Sequence, residues 1–350
     1  MKLFHISHTD LDGYGCQLLT KEYFKEGFFL NANYGLEVRL SIDTVIKEIE
    51  QCEKSEPILF LITDVNLTVN ESKELNKKVN ELLSQGYSIK LQLLDHHATG
   101  EKSAKMYDWY FLDISRCATK ITYDYLNEEF EGFSDETNSW LKPLVNSINA
   151  IDIWLEDQRD NFEFGKVLLS MVSKVREINN ILFAKENRNF RIYLLKEAAK
   201  YIGKPNDNIA LDGDIHTLKK NYLKLDDNDD TLDNLSAKYL VNSLEEIKEN
   251  LTVNFNGHKG LLTYCLGSIS IPANAFLKAN PDFDFFIDIG KKGNASFRAD
   301  GKVDVSLMAQ KLANGGGHVN ASGCKFDDFK ESIDYSNVKS YMQYKLNNIE

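Results

Sequence analysis

The chain has 350 residues, of which 43% are hydrophobic and 27% are charged, and its formal net charge is −12. This length favours two domains over a single core, and the composition is that of a globular protein. No apolar stretch reaches the length of a membrane span, and the first residues lack the apolar segment of a signal peptide. We therefore expect a cytoplasmic protein with no membrane partner.

The acidic total also limits the class of phosphate ester that the chain would bind. A protein that coats long nucleic acid usually presents a basic face that neutralises phosphates. A phosphorylated substrate of this chain would meet positive charge mainly from bound metal and a few placed cations. The five cysteines follow no motif spacing, which suits a reducing compartment and indicates no zinc site.

Hydrophobic patterning predicts alternating strands and helices in the first half of the chain. Apolar runs predict strands at 2–7, 28–34, 58–63, 88–94 and 109–113. Helical patterns follow at 16–25, 43–54, 71–85, 117–130 and 136–151. This alternation predicts an α/β fold with a mostly parallel, doubly wound sheet.

The second half predicts a connecting region and a smaller α/β domain. Mixed helical pattern covers 163–201, and a helix follows at 233–250. Between them, the polar stretch 206–234 with its acidic run is predicted to be a flexible or surface segment. Beyond residue 250 we predict strands at 261–265, 283–289 and 294–299 and a helix at 305–312.

Acidic and imidazole side chains follow three of the predicted strands. In open parallel sheets, ligands bind outside the carboxyl ends of the strands. Alternate spacing along an extended segment directs side chains to one side, which suits a metal site. The strand-end candidates are His8, Asp10, Asp12, Asp64, Asp95, His96 and His97. Taken singly, each group also fits a solvated turn, and what favours a metal site is their recurrence at three strand ends.

Three further features point to metal or anion binding. Asp152 lies between apolar neighbours, where a carboxylate is costly to bury unless it is paired or bound to metal. Gly315, Gly316 and Gly317 precede His318 and leave the backbone amides uncovered, so a phosphate could approach them. A flexible hinge is the alternative explanation for the three glycines. The upstream cation Arg298, in a predicted strand, favours anion capture.

Together these motifs resemble the DHH phosphoesterase superfamily. The resemblance rests on His8-Thr9-Asp10-Leu11-Asp12-Gly13, on Asp64 after an apolar strand, on Asp95-His96-His97 and on Asp152. The Arg298 strand and Gly315-Gly316-Gly317-His318 are similar to the DHH-associated C-terminal domain. The resemblance implies a DHH catalytic domain at 1–165, a helical connector at 166–250 and a substrate-binding domain at 251–335.

The resemblance also implies a centre of two divalent metal ions, with Mn²⁺ preferred and Co²⁺ or Mg²⁺ as alternatives. The implied ligand sets are His8, Asp10 and Asp64 for one ion and Asp12, Asp64, His96 and Asp152 for the other. His97 would face the scissile phosphate with Asp95 supporting it, and Arg298, His318 and the amides of Gly315, Gly316 and Gly317 would bind a substrate phosphate. Many relatives place the first histidine four residues before the first aspartate, where this chain has Ile6.

Within the superfamily, the motif form and size resemble bacterial oligoribonucleases. The implied function is an exonuclease-type phosphodiesterase that releases mononucleotides from short RNA or DNA by two-metal activation of water. A cyclic dinucleotide phosphodiesterase and a phosphoadenosine phosphate phosphatase remain alternatives, and the sequence allows a homodimer. A catalytically silent nucleotide-binding module is a third class, but it predicts lost metal carboxylates, and all are present.

Overall fold

The computed structural model describes residues 1–348, which form two compact units. Unit 1 comprises Met1–Val175 and Arg188–Leu218, and unit 2 comprises Arg176–Asn187 and the chain from Lys219 onward. The three-part organisation stays a prediction, because the two units do not show which segments fold independently. Within residues 1–348, no helix combines the length and apolar character needed to cross a bilayer.

Strands and helices alternate along the first part of unit 1. The elements are β1 (Lys2–Ser7), α1 (Leu11–Phe24), β2 (Phe28–Asn31), α2 (Leu36–Glu50), β3 (Pro57–Thr63), α3 (Val69–Ser84), β4 (Ser88–Asp95), α4 (Glu101–Ala104), β5 (Tyr110–Leu112), α5 (Ala118–Glu128), α6 (Asp135–Asp152) and α7 (Arg159–Ser173). Two longer helices follow, α8 (Ala184–Ala199) and α9 (Asp207–Leu223).

The five strands of unit 1 form a parallel sheet in the order β2-β1-β3-β4-β5. The apolar run of β3 is buried on both faces. Phe60 and Ile62 pack with α2 and α3 on one face, whereas Leu59 and Leu61 pack with residues of α1 and α5 on the other. The predicted doubly wound α/β fold is confirmed.

This strand order determines where a ligand would bind. The order reverses at β1 and β3, and such a switch point opens a crevice at the carboxyl ends of the strands. Ser7 pairs with Thr63, and Thr63 pairs with Leu94 in the next strand. The residues that follow these three positions therefore leave the sheet side by side, along one edge.

Unit 2 contains a mixed sheet rather than a parallel one. Its elements are α10 (Leu232–Leu251), β6 (Thr252–Phe255), β7 (His258–Tyr264), α11 (Ser270–Ala279), β8 (Phe285–Ile289), β9 (Asn294–Ala299), α12 (Val305–Ala313), β10 (Gly316–His318), β11 (Ala321–Lys325) and α13 (Tyr335–Asn347). The strand order is β10-β11-β9-β8-β7-β6, with only β7 and β8 parallel among the described strands. The prediction of a second region with α/β structure is confirmed.

The segment 206–234, predicted to be flexible or at the surface, is helical over most of its length rather than flexible. Helix α9 occupies Asp207–Leu223, because Leu211, Leu218 and Leu223 are buried and give the segment an apolar side. The acidic run beyond the helix is exposed, as expected. The density of polar residues obscured the spacing of these leucines.

Gly13 offers a test of how α1 is seated against the end of β1. A Cβ atom at this position would lie 2.4 Å from the carbonyl oxygen of His8, which is backbone and cannot rotate away. We expect Gly13→Ala to lower the free energy of unfolding by about 1–3 kcal/mol through overpacking. Urea unfolding followed by the three tryptophans, all of which lie in unit 1, measures this change.

The control is Gly213→Ala in α9, where nothing lies within 4 Å of the added Cβ. It should leave stability unchanged or raise it by up to about 1 kcal/mol, because alanine is the better helix former. Equal effects of the two substitutions would contradict the close approach at Gly13.

Candidate functional site

Asp12 links the first strand-end loop to a neighbouring helix. It lies in the first turn of α1, and its carboxylate accepts hydrogen bonds from the N–H groups of Ala118 and Thr119, both at 2.7 Å. These amides open α5, and a helix N-terminus favours a negative charge. The hydroxyl of Thr119 also donates to the carbonyl of Asp12 at 2.7 Å. Asp12 is thus held as a buried carboxylate at the edge of the sheet.

Asp64 follows β3 in a strained backbone conformation. Its φ is 58°, in the left-handed region, and its N–H donates to the carbonyl of Leu94 at 3.0 Å. Such a conformation costs roughly 1–3 kcal/mol in a non-glycine residue and recurs at functional sites. Among the described residues, Oδ2 of Asp64 is a buried oxygen with no hydrogen-bond partner. A buried carboxylate oxygen without a hydrogen-bond partner is costly, and a bound cation would compensate for that cost.

His96 brings three carboxylates together. Its Nε2 lies 3.3 Å from Oδ1 of Asp64 and 3.6 Å from Oδ2 of both Asp12 and Asp152. Burial lowers the pKa of His96, although the charge of Asp12 opposes the shift. The imidazole is therefore neutral at pH 7, which is the form that binds metal ions.

A second group of potential ligands shares Asp64. Nδ1 of His8 lies 2.8 Å from Oδ2 of Asp10 and 3.7 Å from Oδ2 of Asp64. One ligand atom from each of these three residues lies within 4.8 Å of the others, so the group could hold an ion. Asp64 thus stands between two sets of oxygen and nitrogen donors. Carboxylate and imidazole ligands of this kind could hold a divalent metal ion.

Electrostatics support a cation at this edge of the sheet. Burial and the neighbouring charges of Asp12 and Asp10 raise the pKa of Asp64 well above its ordinary value. The same causes raise the pKa of Asp152 to about 9. Without positive charge, these two carboxyl groups resist ionisation, so the residues present fit divalent cations.

His97 belongs to a separate hydrogen-bonded chain beside these ligands. Its Nδ1 lies 2.7 Å from Oδ1 of the fully buried Asp95, and the hydroxyl of Tyr110 donates to Oδ2 of Asp95 at 2.8 Å. The bond to Asp95 raises the pKa of His97, with burial opposing it. Asp95 thereby fixes the ring, and Nε2 of His97 faces away from Asp95.

Two residues that the sequence did not single out also lie at the site. One atom each of Asp12, Cys117 and Asp152 lies within 4.8 Å of the others, so the thiol sits beside the carboxylates. Tyr34, in the loop after β2, contacts His97. Cysteine spacing carried no signal for Cys117, and Tyr34 lies at the end of a stretch that was predicted to be strand.

By contrast, His5 lies outside the cluster. It is fully buried, and its ring nitrogens lie 2.9 Å from Oγ1 of Thr20 and 2.8 Å from Oγ1 of Thr63. Both polar atoms of its ring are satisfied within the core. His5 is therefore a core histidine.

Unit 2 places Arg298 and His318 on one face of its sheet. Arg298 pairs with Ala321, and Ala321 pairs with His318, so the three residues form one row across antiparallel strands. Directly paired residues point to the same face. Nη2 of Arg298 donates to Oγ of Ser270 at 2.9 Å, and His318 is exposed. This row could bind an anion.

The glycines before His318 have a packing role. A Cβ on Gly315 would lie 2.3 Å from the carbonyl oxygen of Gly323, and one on Gly317 would lie 2.5 Å from that of Ala321. Gly316 has open space around it and is exposed. Close strand pairing thus explains two of the three glycines, and their binding of phosphate stays a prediction.

The chain is similar in sequence to two curated proteins whose names state an activity. It is 43% identical over 348 residues to a 3',5'-cyclic-nucleotide phosphodiesterase from Helicobacter pylori, covering 99% of both chains. It is 23% identical over 341 residues to the oligoribonuclease NrnB from Bacillus subtilis, covering 93% of this chain and 73% of the relative. No protein-family model matches the chain.

A solved structure is also similar to the chain. The crystal structure of an uncharacterized protein from Helicobacter pylori G27 matches with a TM-score of 0.92 and 42% identity, over 99% of both chains. Fold, site and relatives together define an enzyme that hydrolyses phosphoester bonds. More narrowly, the chain belongs to the DHH superfamily of phosphoesterases.

The raised pKa values of Asp64 and Asp152 lead to an expected pH dependence. In the unfolded chain these groups ionise near pH 4, whereas in the folded, metal-free protein they keep their protons to higher pH, up to about 9 for Asp152. The folded state then binds more protons than the unfolded state across this window, so these groups reduce stability as pH rises. We expect metal-free Asp152→Asn to have a higher melting temperature than metal-free wild type, with a gap that is larger at about pH 8 than at about pH 5.

Added Mn²⁺ provides the matched comparison. It should raise the melting temperature of the wild type more at the higher pH, where both carboxyl groups can ionise, and should raise that of Asp152→Asn less. A gap between the two metal-free proteins that stays constant with pH would contradict the crowding of carboxylates.

Proposed function

We propose that this chain is a metal-dependent phosphodiesterase that hydrolyses short RNA or DNA oligonucleotides to mononucleotides. The observation that carries the proposal is the convergence of Asp12, Asp64 and Asp152 on Nε2 of His96. A cluster of this kind at the switch point of a doubly wound sheet lies where such folds bind their ligands.

In this proposal the chain holds two divalent cations, with Mn²⁺ preferred. His8, Asp10 and Asp64 hold one cation, and Asp12, Asp64, His96 and Asp152 hold the other. When bound, the pair supplies a hydroxide nucleophile at neutral pH and offsets negative charge on the reacting oxygens. Asp64, which belongs to both ligand sets, would serve both cations.

His97 acts on the phosphate from the side opposite Asp95. Because Nδ1 is engaged by Asp95, Nε2 is the nitrogen that meets the substrate. The raised pKa of His97 favours a protonated ring, which can donate to a phosphate oxygen or to the leaving oxygen. Asp95 keeps the ring oriented through this exchange.

Arg298 and His318 bind a phosphate of the substrate on the sheet face of unit 2. A planar guanidinium recognises phosphate oxygens through paired donors, and Ser270 orients it. A site for a phosphate other than the scissile one suits a short oligonucleotide. The net charge of −12 disfavours long strands.

A second substrate class is favoured by one specific observation. The 43% identical relative is named a 3',5'-cyclic-nucleotide phosphodiesterase. A cyclic nucleotide carries the same 3'–5' phosphodiester linkage as RNA, so one metal centre could cleave both. Such a substrate has a single phosphate, which is the scissile one.

Substrate length separates these possibilities. We expect turnover with Mn²⁺ to be faster on dinucleotides to pentanucleotides than on long single strands, and His318→Ala to raise KM on the oligonucleotides more than it lowers metal content. If 3',5'-cyclic AMP is the best substrate and His318→Ala leaves its KM unchanged, the cyclic nucleotide reading replaces this one. Faster cleavage of long strands would contradict both.

Asp64→Asn tests the metal centre itself. The substitution removes the negative charge that both ligand sets share and keeps the shape of the side chain. We expect activity to fall by about a thousandfold or more, since the metals stabilise several kcal/mol of transition-state charge. Equilibrium dialysis with Mn²⁺ should show loss of bound metal.

Asp43→Asn is the control, because it makes the same chemical change in a carboxylate that pairs with Lys78 on the surface of unit 1. It should retain wild-type rate and metal content. Full metal binding and full rate in Asp64→Asn would overturn the ligand assignment.

A further inference from the structure

Tyr34 is held at the candidate site by a loop that is anchored to β1 and the loop after it. The N–H of Ala32 donates to the carbonyl of Ser7 at 2.9 Å, and the hydroxyl of Thr9 donates to Oδ1 of Asn33 at 2.8 Å. Glu37 accepts from the backbone and side-chain N–H groups of Asn33 at 2.9 and 2.8 Å. The position of Tyr34 is therefore fixed by the same strand end that carries the candidate ligands.

The Tyr34 side chain lies beside two of the site histidines. Its ring centroid is 5.2 Å from that of His8 and 5.9 Å from that of His97, the latter in an edge-on arrangement. Its hydroxyl lies 3.2 Å from Nε2 of His97. The residue is 44% exposed, so the ring is not simply part of the core.

The hydrogen bond between the Tyr34 hydroxyl and Nε2 of His97 can run in either direction. The carboxylate of Asp95 accepts from Nδ1 of His97, so a neutral ring has its proton on Nδ1 and accepts from the Tyr34 hydroxyl at Nε2. A protonated ring donates from Nε2 to the hydroxyl oxygen instead, which leaves the hydroxyl proton available to a substrate oxygen. Among the described residues, this hydroxyl has no other hydrogen-bond partner.

The same geometry places the hydroxyl where a phosphate would arrive. One substrate oxygen can contact both Nε2 of His97 and the Tyr34 hydroxyl, because these two atoms lie only 3.2 Å apart. Among the described residues, the ring of His97 is the one group that the Tyr34 hydroxyl contacts by a hydrogen bond. A substrate oxygen, which carries negative charge, is the stronger acceptor.

We propose that Tyr34 is a catalytic residue whose hydroxyl donates a hydrogen bond to a non-bridging oxygen of the scissile phosphate, beside His97. This inference rests on the proposed function, because it takes His97 as the group that faces the phosphate. It adds a neutral hydrogen-bond donor beside His97. The alternative is a purely structural role, in which the ring only covers the histidines.

The test compares wild type, Tyr34→Phe and the control Tyr87→Phe, all loaded with Mn²⁺. Tyr87 also lies in unit 1, and its hydroxyl donates to the carbonyl of Glu50 at 2.9 Å, so each variant loses one phenolic hydrogen bond. Two probes are used, a dinucleotide and bis(p-nitrophenyl) phosphate. The second has a leaving group that needs no protonation, so it isolates interactions with the non-bridging oxygens.

We expect Tyr34→Phe to lower kcat by roughly 10- to 100-fold on both probes, the loss expected for a hydrogen bond to a charged group. Its melting temperature and Mn²⁺ stoichiometry should match the wild type, and Tyr87→Phe should retain the wild-type rate. Binding of 5'-AMP, measured by calorimetry, should also weaken in Tyr34→Phe.

Wild-type kcat and 5'-AMP binding in Tyr34→Phe would overturn the inference while leaving the proposed function intact. So would a loss confined to the dinucleotide, since it would point to the leaving oxygen instead. If the wild type hydrolyses neither probe, the proposed function fails and this inference falls with it.

Discussion

The organising constraint of unit 1 is the crowding of carboxylates around one imidazole. Nε2 of His96 lies 3.3 to 3.6 Å from oxygens of Asp64, Asp12 and Asp152. Carboxylates that converge on one atom repel one another strongly where water is excluded. A neutral imidazole cannot offset them, so the arrangement is stable with its carboxylates ionised only if positive charge enters. That requirement is the physical basis for our proposal of a metal-dependent hydrolase.

The fold maintains this crowding through interactions outside the cluster. The parallel register of β1, β3 and β4 brings the strand-end residues to one edge. The amides that open α5 hold the buried charge of Asp12 in place, and a left-handed backbone turns Asp64 into the cluster. A strained and partly unpaired arrangement of this kind is unfavourable for folding alone, which is why we connect it with function.

The sequence predicted the parts of this picture that depend on local pattern. Apolar runs such as 58–63 revealed the strands, and their alternation with helices gave the doubly wound sheet. The clustering of the side chains that follow these strands could also be predicted, because the carboxyl ends of parallel strands meet at one edge of the sheet. Contacts between residues that are distant in sequence could not be predicted in this way. The sequence around Cys117 gives no sign that it lies beside Asp12, and Tyr34 contacts His97 from a loop. Helix α9 was missed because its polar residues outnumber the leucines that it buries.

We propose that two cations bind side by side at the edge of the unit 1 sheet. Anomalous diffraction from crystals of the full chain grown with Mn²⁺ tests it most directly. We expect two anomalous peaks from manganese, about 3.5–4 Å apart. One should be bound by His8, Asp10 and Asp64, and the other by Asp12, Asp64, His96 and Asp152. Crystals of active protein with no peak at Asp64, or with manganese bound elsewhere, would contradict it.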